Sequence, residues 1–362
     1  MLLVKRNFET SNPLLTIIIV NYNSEKFFDI VKKCIEAIFS IPLSKEIIVI
    51  DNGSHDSSRL SLMKLIKDQN SCYSADLIRL ILLNNNIGFQ KAVNVALSLS
   101  TSSKYVMVVN NDCIINSKSI VHLIKVLERM PAIGCIQGKI LNMDGTSIDS
   151  AGCVITDFGD WLKIGYRMSN NLFNLPLITS YVHAVCFICR REAFPGFLSD
   201  FFAFGDDFEL GPRLYANGYC CLYYPVIIGQ HYGSATSIFN KNIMKLNEYW
   251  SIIGQTAILR VANPISPIQV VLGMIRVLLE CFYSTLTLDK KRTRGIVRGF
   301  IIGLQLRFRR YRTLKQNKGK SIKMPSLRCS LKDFPNLLLR SRRQITYLKY
   351  IPVYIKKHGI NA

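Results

Sequence analysis

The sequence predicts an α/β fold: an open, mostly parallel sheet flanked by helices, followed by a helical and strongly basic C-terminal extension. Two observations predict the sheet. Short β-branched apolar runs alternate with helical patterns over residues 14–115, and polar clusters follow three of these runs. A third observation predicts the extension, because the chain from Lys290 to its end holds 21 Lys and Arg residues and a single acid, Asp333.

The predicted strands are the apolar runs of the first third of the chain. Leu14–Val20 is a continuous β-branched run, which is typical of a parallel strand buried on both faces. Helical patterns follow it, the first beginning after Ser24, a candidate N-cap. The other predicted strands are Glu46–Ile50, Leu77–Leu83 and Tyr105–Val109, and the later helices are Leu60–Ile66 and Gly88–Leu99.

The cysteines predict free thiols. The chain has eleven cysteines and an N-terminus without the apolar stretch of a secretory signal, which favours a reducing compartment. Cys186 and Cys189 form an isolated CxxC inside an apolar run. We interpret them as small apolar residues of a core strand, because a metal site would need a second cysteine pair and a redox site a helix start.

The second half of the chain predicts mixed strands and loops over residues 131–232 and apolar helices from Asn240 to Arg312. The most hydrophobic segment, Ile265–Leu288, contains Arg276 and Glu280 near its middle. Two charges at that depth are costly in a membrane-spanning helix, so we predict a helix that lies at a membrane interface.

The positive charge is confined to the extension. From Lys290 onward the net charge is +20, whereas the preceding residues hold 25 basic and 23 acidic side chains. Such a segment binds polyanions, namely anionic lipid, nucleic acid or a phosphorylated substrate. We favour lipid over nucleic acid, because the extension has no zinc-finger spacing and little aromatic patterning.

Three polar clusters stand at the predicted carboxyl ends of strands, where ligands of such sheets bind. Their sequences are Asn21-Tyr22-Asn23, Asp51-Asn52-Gly53-Ser54 and Asn110-Asn111-Asp112. Asp51 can accept hydrogen bonds from a nucleobase or ribose, and Asp112 can hold Mg²⁺ or Mn²⁺ on a diphosphate. Taken singly, each cluster is equally typical of a turn at the end of a strand.

Two further segments carry candidate chemistry. In FFAFGDDFEL, Asp206 and Asp207 lie among phenylalanines, a setting that raises carboxyl pKa values as a general base requires. The alternative is a helix N-terminus at which the helix dipole favours acids. His231 is a candidate metal ligand beside Asp112, although a single histidine is more often structural.

In this order the segments resemble the inverting glycosyltransferases of family 2, which have the Rossmann-like GT-A fold. The resemblance runs from Leu14 to about Ser237 and looks nearest to the rhamnosyl- and galactofuranosyltransferases of bacterial surface polysaccharides such as O-antigen. It implies a catalytic domain over residues 1–239, a membrane-associating helical region over 240–313 and a basic tail over 314–362. The segments that carry it are TIIIVNYNS, IIVIDNGSHDSS, NNNIGFQKAVNVAL, YVMVVNND, CFICRREAF, GFLSDFFAFGDDFELGPRLYANGYCCLYYP and IIGQHYGSATS.

The resemblance also implies roles for individual residues. Asp207 would be the catalytic base, with Asp206 beside it, and Asp112 and His231 would bind Mg²⁺ or Mn²⁺. Asn110 departs from the family pattern, since many members have Asp there, which predicts weaker metal binding. The residues implied to bind the donor are Asn21, Tyr22, Asn23, Asp51, Asn52, Gly88, Asn94, Asn110 and Asn111.

The implied partners are a UDP, dTDP or GDP sugar, a lipid-linked saccharide acceptor and the anionic inner face of the cell membrane, with the protein cytoplasmic and peripheral. Three rival interpretations remain open. One is a polyanion-binding protein, and another is a scaffold with a degenerate transferase fold, which Asn110 suggests. The third is a sugar nucleotidyltransferase, which would need a Gly-rich and basic phosphate loop where this chain has NYNSEKF.

Overall fold

The computed structural model describes residues 12–72, 77–157, 159–233, 235, 238, 241–262, 267–316, 322–328 and 350–360. These residues form a curled ten-stranded sheet with helices on both faces and a small two-stranded sheet beside it. Along the main path the strands lie in the order β10 (Leu177–Thr179), β12 (Cys220–His231), β6 (Ile133–Asn142), β11 (Cys186–Arg190), β4 (Tyr105–Asn110), β1 (Leu15–Asn21), β2 (Lys45–Asp51) and β3 (Leu77–Leu82). The α/β architecture predicted from the sequence is confirmed.

One half of the sheet is parallel and contains the four predicted strands. Asn21 pairs with Asp51, and Val20 pairs with Asn110, so the polar clusters lie side by side at one edge. Every residue of the first strand is buried, as its β-branched run predicts. The four strands are β1 (Leu15–Asn21), β2 (Lys45–Asp51), β3 (Leu77–Leu82) and β4 (Tyr105–Asn110).

Four helices cover the two faces of the sheet. Ile17 and Ile19 of β1 face the side packed by the first, second and fourth helices, whereas Ile18 and Val20 face the side packed by the third. Ser24 does not act as the predicted side-chain cap, because its Oγ donates to Asn21 Oδ1 at 2.6 Å instead. The helices are α1 (Phe28–Phe39), α2 (Ser58–Cys72), α3 (Phe89–Leu99) and α4 (Ser117–Arg129).

The other half of the sheet is mixed. The long strand β12 (Cys220–His231) runs parallel to β6 (Ile133–Asn142), and α5 (Asp206–Ala216) precedes β12 in the chain. The remaining strands are β5 (Cys113–Ile115), β7 (Ile148–Ser150), β8 (Cys153–Ile155), β9 (Trp161–Lys163), β10 (Leu177–Thr179) and β11 (Cys186–Arg190). Strands β8 and β9 form the small second sheet.

The prediction of free thiols is wrong for one pair. Cys135 on β6 and Cys189 on β11 form a disulfide, because the antiparallel register of these strands places them opposite each other with Cα atoms 4.1 Å apart. The CxxC interpretation holds in part. Cys186 is a free, buried residue of β11, and Cys189 bonds across the sheet rather than to Cys186.

A helical extension follows the sheet. Its most hydrophobic helix carries Arg276, whose side chain is only 1% exposed and whose Nη1 lies 2.7 Å from Asp160 Oδ2. Arg276 Nε also lies 3.1 Å from Glu280 Oε1. The ion pair between Arg276 and Asp160 therefore attaches this helix to the loop before β9. The elements are α6 (Lys241–Gly254), a π-helix (Gln255–Ala262), α7 (Pro267–Leu286) and α8 (Lys290–Gln316).

In the described part of the chain, no helix combines the length and apolar character that crossing a membrane requires. The start of the predicted segment Ile265–Leu288 lies outside the described residues. The described pieces of the basic tail pack against the small sheet and β10. Leu327 bridges to Thr156, and Tyr354 of α9 (Ile351–His358) donates through its hydroxyl to the Ile178 carbonyl at 2.8 Å. Residues 329–349 of the tail are not described.

Candidate functional site

A cavity of about 320 Å³ opens at the carboxyl edge of the parallel strands. It lies where the sheet changes from its parallel to its mixed half, between β1 and β4 on one side and α5 and β12 on the other. Residues distant in sequence therefore meet there. The predicted site residues that line it are Tyr22, Asn52, Gly88, Asn110, Asn111, Asp112, Asp207 and His231.

Asn21 and Asp51 lie behind the cavity wall rather than in it. Asn21 Nδ2 donates to Asp51 Oδ1 at 3.3 Å, and Asn111 Nδ2 donates to Asn21 Oδ1 at 2.9 Å. Asp51 also accepts the Ser54 amide at 3.1 Å and pairs with Arg59 at 3.5 Å. Both Asn21 and Asp51 are fully buried, so their contacts hold Asn111 and the turn after β2 in place.

Asn52 shapes the loop that leads into α3. Its Nδ2 donates to Asn86 Oδ1 at 3.0 Å, while its Oδ1 accepts the Ile87 amide at 3.0 Å. Gly88 follows with φ +88°, and a Cβ there would lie 2.3 Å from the Phe202 carbonyl oxygen. Only glycine allows this approach, which joins the N-terminus of α3 to the segment before α5.

Asn94 and Asn23 are structural in this arrangement. Asn94 bonds the backbone of Phe197 twice, donating to its carbonyl and accepting its amide, both at 2.8 Å. Asn23 has φ +45° and accepts the His55 amide at 2.9 Å. Neither lines the cavity. They stabilise the two loops between which it lies.

Asp207 enters the cavity from the first turn of α5. Phe204 (φ +59°) and Gly205 (φ +99°) form the tight turn that precedes the helix. This tight turn directs the first turn of α5 toward the cavity. The Asp207 side chain accepts the Phe208 amide at 2.9 Å and lines the cavity. Asp206 begins the helix, and its side chain lies outside the described atoms. The segment therefore starts a helix, as one interpretation predicts, and it also places Asp207 at the cavity.

Asp112 and His231 meet in the same cavity. His231 Nε2 lies 3.3 Å from Asp112 Oδ1, and Asp112 Oδ2 accepts the Ala235 amide at 3.2 Å. Burial alone would raise the pKa of Asp112, but the charge of His231 holds it below its ordinary value. The predicted pair of side chains is therefore close in space, although β4 and β12 are not neighbouring strands.

A second carboxylate, which the sequence analysis missed, contacts the same histidine. Asp149 on β7 lies with Oδ2 3.0 Å from His231 Nδ1, and it forms an ion pair with Lys163. Burial would lower the pKa of His231, but Asp112 and Asp149 raise it to about 10. Burial and the charge of Lys163 lower the pKa of His183, which lies 3.8 Å from Asp149 Oδ2, to about 3.

Aromatic side chains complete the wall. Trp161 on β9 is 39% exposed and lines the cavity with Phe202 and Phe204. An exposed indole at a cavity offers a surface for a sugar ring. Trp161 directly follows Asp160 in the chain. Asp160 pairs with Arg276 of the helical extension, so the extension contacts the residue next to Trp161.

The donor set at Asp112 and His231 fits a divalent cation. His231 Nε2 is buried and has no hydrogen-bond partner among the described residues, and it faces a carboxylate oxygen. One oxygen and one nitrogen ligand leave room for phosphate oxygens and water. Among the described residues, no group of three or more His, Cys, Asp or Glu side chains is arranged as a metal site.

The chain is similar to known proteins in both sequence and fold. A sequence profile of glycosyl transferase family 2 matches residues 16–197, half of the chain. No curated protein sequence matches. A mannosyltransferase from Pyrobaculum calidifontis, solved with GDP-Man and Mn²⁺, aligns with a TM-score of 0.51 and 14% identity over 96% of this chain and 87% of that chain. S. aureus TarS 1-349 with UDP-GlcNAc aligns with a TM-score of 0.45 and 15% identity, over 83% and 90% of the two chains.

The match to the family profile spans β1 to β11 and includes most of the cavity-lining residues. At this identity the mannosyltransferase shows that the fold is shared. Both comparisons agree with the curled, mostly parallel sheet described above. The chain therefore belongs to glycosyl transferase family 2 and has the GT-A fold.

Proposed function

We propose that this protein is an inverting, metal-dependent glycosyltransferase that moves a sugar from a nucleoside diphosphate to a hydroxyl group of a saccharide. The observation that carries the proposal is that Asp207 and the Asp112–His231 pair line one and the same cavity. A transferase needs a base for the acceptor on one side of the anomeric carbon and a diphosphate site on the other. The mannosyltransferase solved with GDP-Man and Mn²⁺ supports both donor class and cation.

The proposed reaction is a single in-line displacement. Asp207 takes the proton of the acceptor hydroxyl as that oxygen bonds to the anomeric carbon, and the bond to the diphosphate oxygen breaks on the opposite face. The configuration at the carbon inverts. Asn52, Asn110 and Asn111 supply amide groups that orient the nucleotide, while the aromatic wall excludes water. A cation at Asp112 and His231 would neutralise charge on the departing diphosphate.

Donor binding tests the class. The full chain is titrated by calorimetry with UDP-, dTDP- and GDP-sugars, with and without Mn²⁺. We expect one nucleotide to bind, and to bind more tightly with the cation. The alternative of a non-catalytic polyanion-binding protein predicts similar, weak and salt-sensitive binding of all three nucleotides, without a cation effect. That result would overturn the proposal.

We further propose that the protein works as a peripheral protein on the anionic inner face of the cell membrane, where it extends a lipid-linked saccharide of a surface polysaccharide. The division into residues 1–239, 240–313 and 314–362 is part of this proposal, as is the rhamnosyl- or galactofuranosyl-like branch. Its support is the exposed surface of α7. Large apolar residues on one side of this helix are exposed at helical spacing: Val271, Ile275, Leu278, Leu279, Phe282 and Leu286.

The neighbouring helix supplies charge complementarity to an anionic bilayer. Helix α8 packs against α7 through Ile296 and Val277 and contains ten Lys and Arg residues and no acid. Lys290, Arg294 and Arg298 are exposed near the junction of the two helices. Each basic side chain near an anionic surface contributes about 1 kcal/mol to the free energy of membrane binding, and the burial of apolar side chains in the bilayer adds to that free energy.

Vesicle co-sedimentation tests the membrane proposal. The full chain is expected to bind vesicles of phosphatidylcholine with 30% phosphatidylglycerol, to bind pure phosphatidylcholine far less, and to dissociate as salt rises. The double variant Phe282→Ser/Leu286→Ser should bind at least about tenfold more weakly, since two apolar contacts are lost. Leu60→Ser is the matched control, because Leu60 is 71% exposed on α2, compared with 65% for Phe282. Equal losses in both variants would contradict the assignment of this surface.

A further inference from the structure

We propose that Asp149 is a positioning residue that holds His231 with Nε2 directed toward Asp112 and the cavity. The inference rests on the proposed function, since it gives Asp149 a role toward the metal-binding histidine. The inference goes beyond the proposed function because it names a third residue, which neither lines the cavity nor lies in any of the polar clusters.

The backbone brings Asp149 and His231 together from opposite sides of β6. In β12, Gln230 and His231 pair with Leu141 and Asn142 of β6. On the other side, β7 pairs with the same end of β6, with Ile148 opposite Leu141. Asp149 is 4% exposed. Strand pairing therefore fixes the backbone of His231 and that of Ile148 and Ser150, the two residues that flank Asp149 at a register shift.

The hydrogen bond between Asp149 and His231 determines which nitrogen of His231 is available to bind a metal ion. An ionised carboxylate only accepts hydrogen bonds, so Nδ1 of His231, 3.0 Å from Asp149 Oδ2, must carry a hydrogen. The remaining nitrogen, Nε2, lies 3.3 Å from Asp112 Oδ1 and is buried without a hydrogen-bond partner among the described residues. A carboxylate that accepts from one nitrogen of a metal-binding histidine fixes the tautomer and the ring plane.

Lys163 further restrains the contact between Asp149 and His231. Its ammonium group pairs with Oδ1 of Asp149, the oxygen that does not face His231. Each oxygen of the carboxylate therefore has its own partner, and the carboxylate cannot rotate without losing one of them. Lys163 lies on β9, the strand that also holds Trp161. The inferred chain of contacts thus runs from the small sheet through Asp149 and His231 to Asp112.

Mn²⁺ binding to the full chain tests the inference. We expect Asp149→Ala to weaken Mn²⁺ binding about 10- to 100-fold, the usual effect of removing such a partner. Asp149→Asn, which keeps an accepting oxygen but loses the charge, should restore part of the affinity. Asp144→Asn is the matched control: this exposed aspartate in the same β6–β7 hairpin caps Thr146 and Ser147, and an amide oxygen can replace its acceptor.

A second measurement does not require the metal. With ¹⁵N-labelled histidine the chain gives only five imidazole spin systems, and His231→Gln assigns the one of interest. We expect a slowly exchanging Nδ1–H signal of His231 that disappears in Asp149→Ala and persists in Asp144→Asn.

The outcomes separate the inference from the proposed function. Absence of Mn²⁺ binding by the unchanged protein would overturn the metal site itself. Mn²⁺ affinity within twofold of the unchanged protein in Asp149→Ala, or an Nδ1–H signal that survives this change, would overturn the role of Asp149. Circular dichroism of each variant establishes that it is folded. If Asp149→Ala fails to fold, Asp149→Asn decides, because a loss of affinity without loss of fold supports positioning and an unchanged affinity contradicts it.

Discussion

Replacing Asp207 by Asn is expected to lower kcat by about 10²- to 10⁴-fold, while the donor still binds with nearly unchanged affinity. The amide has the same size as the carboxylate and can still accept the Phe208 amide, so the start of α5 should be preserved. It cannot take the proton of the acceptor hydroxyl. The measurement is initial-rate kinetics at saturating donor, combined with donor titration of the same variant.

Asp206→Asn is the matched control for this prediction. The two aspartates are adjacent at the N-terminus of α5, so both changes remove one negative charge from the same turn. We expect the Asp206 variant to lose much less activity. A larger loss in Asp206→Asn than in Asp207→Asn would transfer the role of base to Asp206, and full activity in both would remove the acidic pair from the mechanism.

Replacing Asp112 by Asn is expected to abolish the effect of Mn²⁺ on donor binding and to lower kcat/KM by about 10²- to 10³-fold. The amide can keep the acceptor for the Ala235 amide, but it removes the negative charge beside His231. The site then has a single ligand for the cation. Calorimetric titration with donor, with and without Mn²⁺, measures the effect.

Asn110→Asp is expected to change Mn²⁺ binding in the opposite direction. Asn110 also lines the cavity and stands where many family members have a carboxylate, so its replacement should tighten Mn²⁺ binding. Opposite changes in the two variants would place the cation at this edge of β4. If Asp112→Asn kept the full cation effect, another residue would have to hold the metal.

Much of the fold was predictable because its signals are local. The β-branched runs and helical patterns of residues 14–115 depend on neighbouring residues alone, and the ends of each predicted strand lie within one residue of the observed ends. The clusters after β1, β2 and β4 were predicted to share an edge, because carboxyl ends of parallel strands meet there. The pairing of Asn21 with Asp51 confirms this.

The candidate site was predictable only where a residue follows a strand or begins a helix. Tyr22, Asn52, Asp112 and Asp207 do so and line the cavity. Asp51 has the same sequence signal, yet its carboxylate points into a network behind the wall. The signal places a residue at the edge of the sheet, but the direction of its side chain depends on partners that come from other elements.

The sequence by itself determined the parallel half of the sheet, the polar edge with its acidic and metal-binding candidates, and the concentration of positive charge after Lys290. Only the tertiary structure decided which distant groups meet. Asp149 contacts His231 across 82 residues, and Arg276 pairs with Asp160 across 116. The disulfide between Cys135 and Cys189 has the same origin. Such contacts follow from the register of non-consecutive strands and from helix packing, which no local pattern of residues encodes.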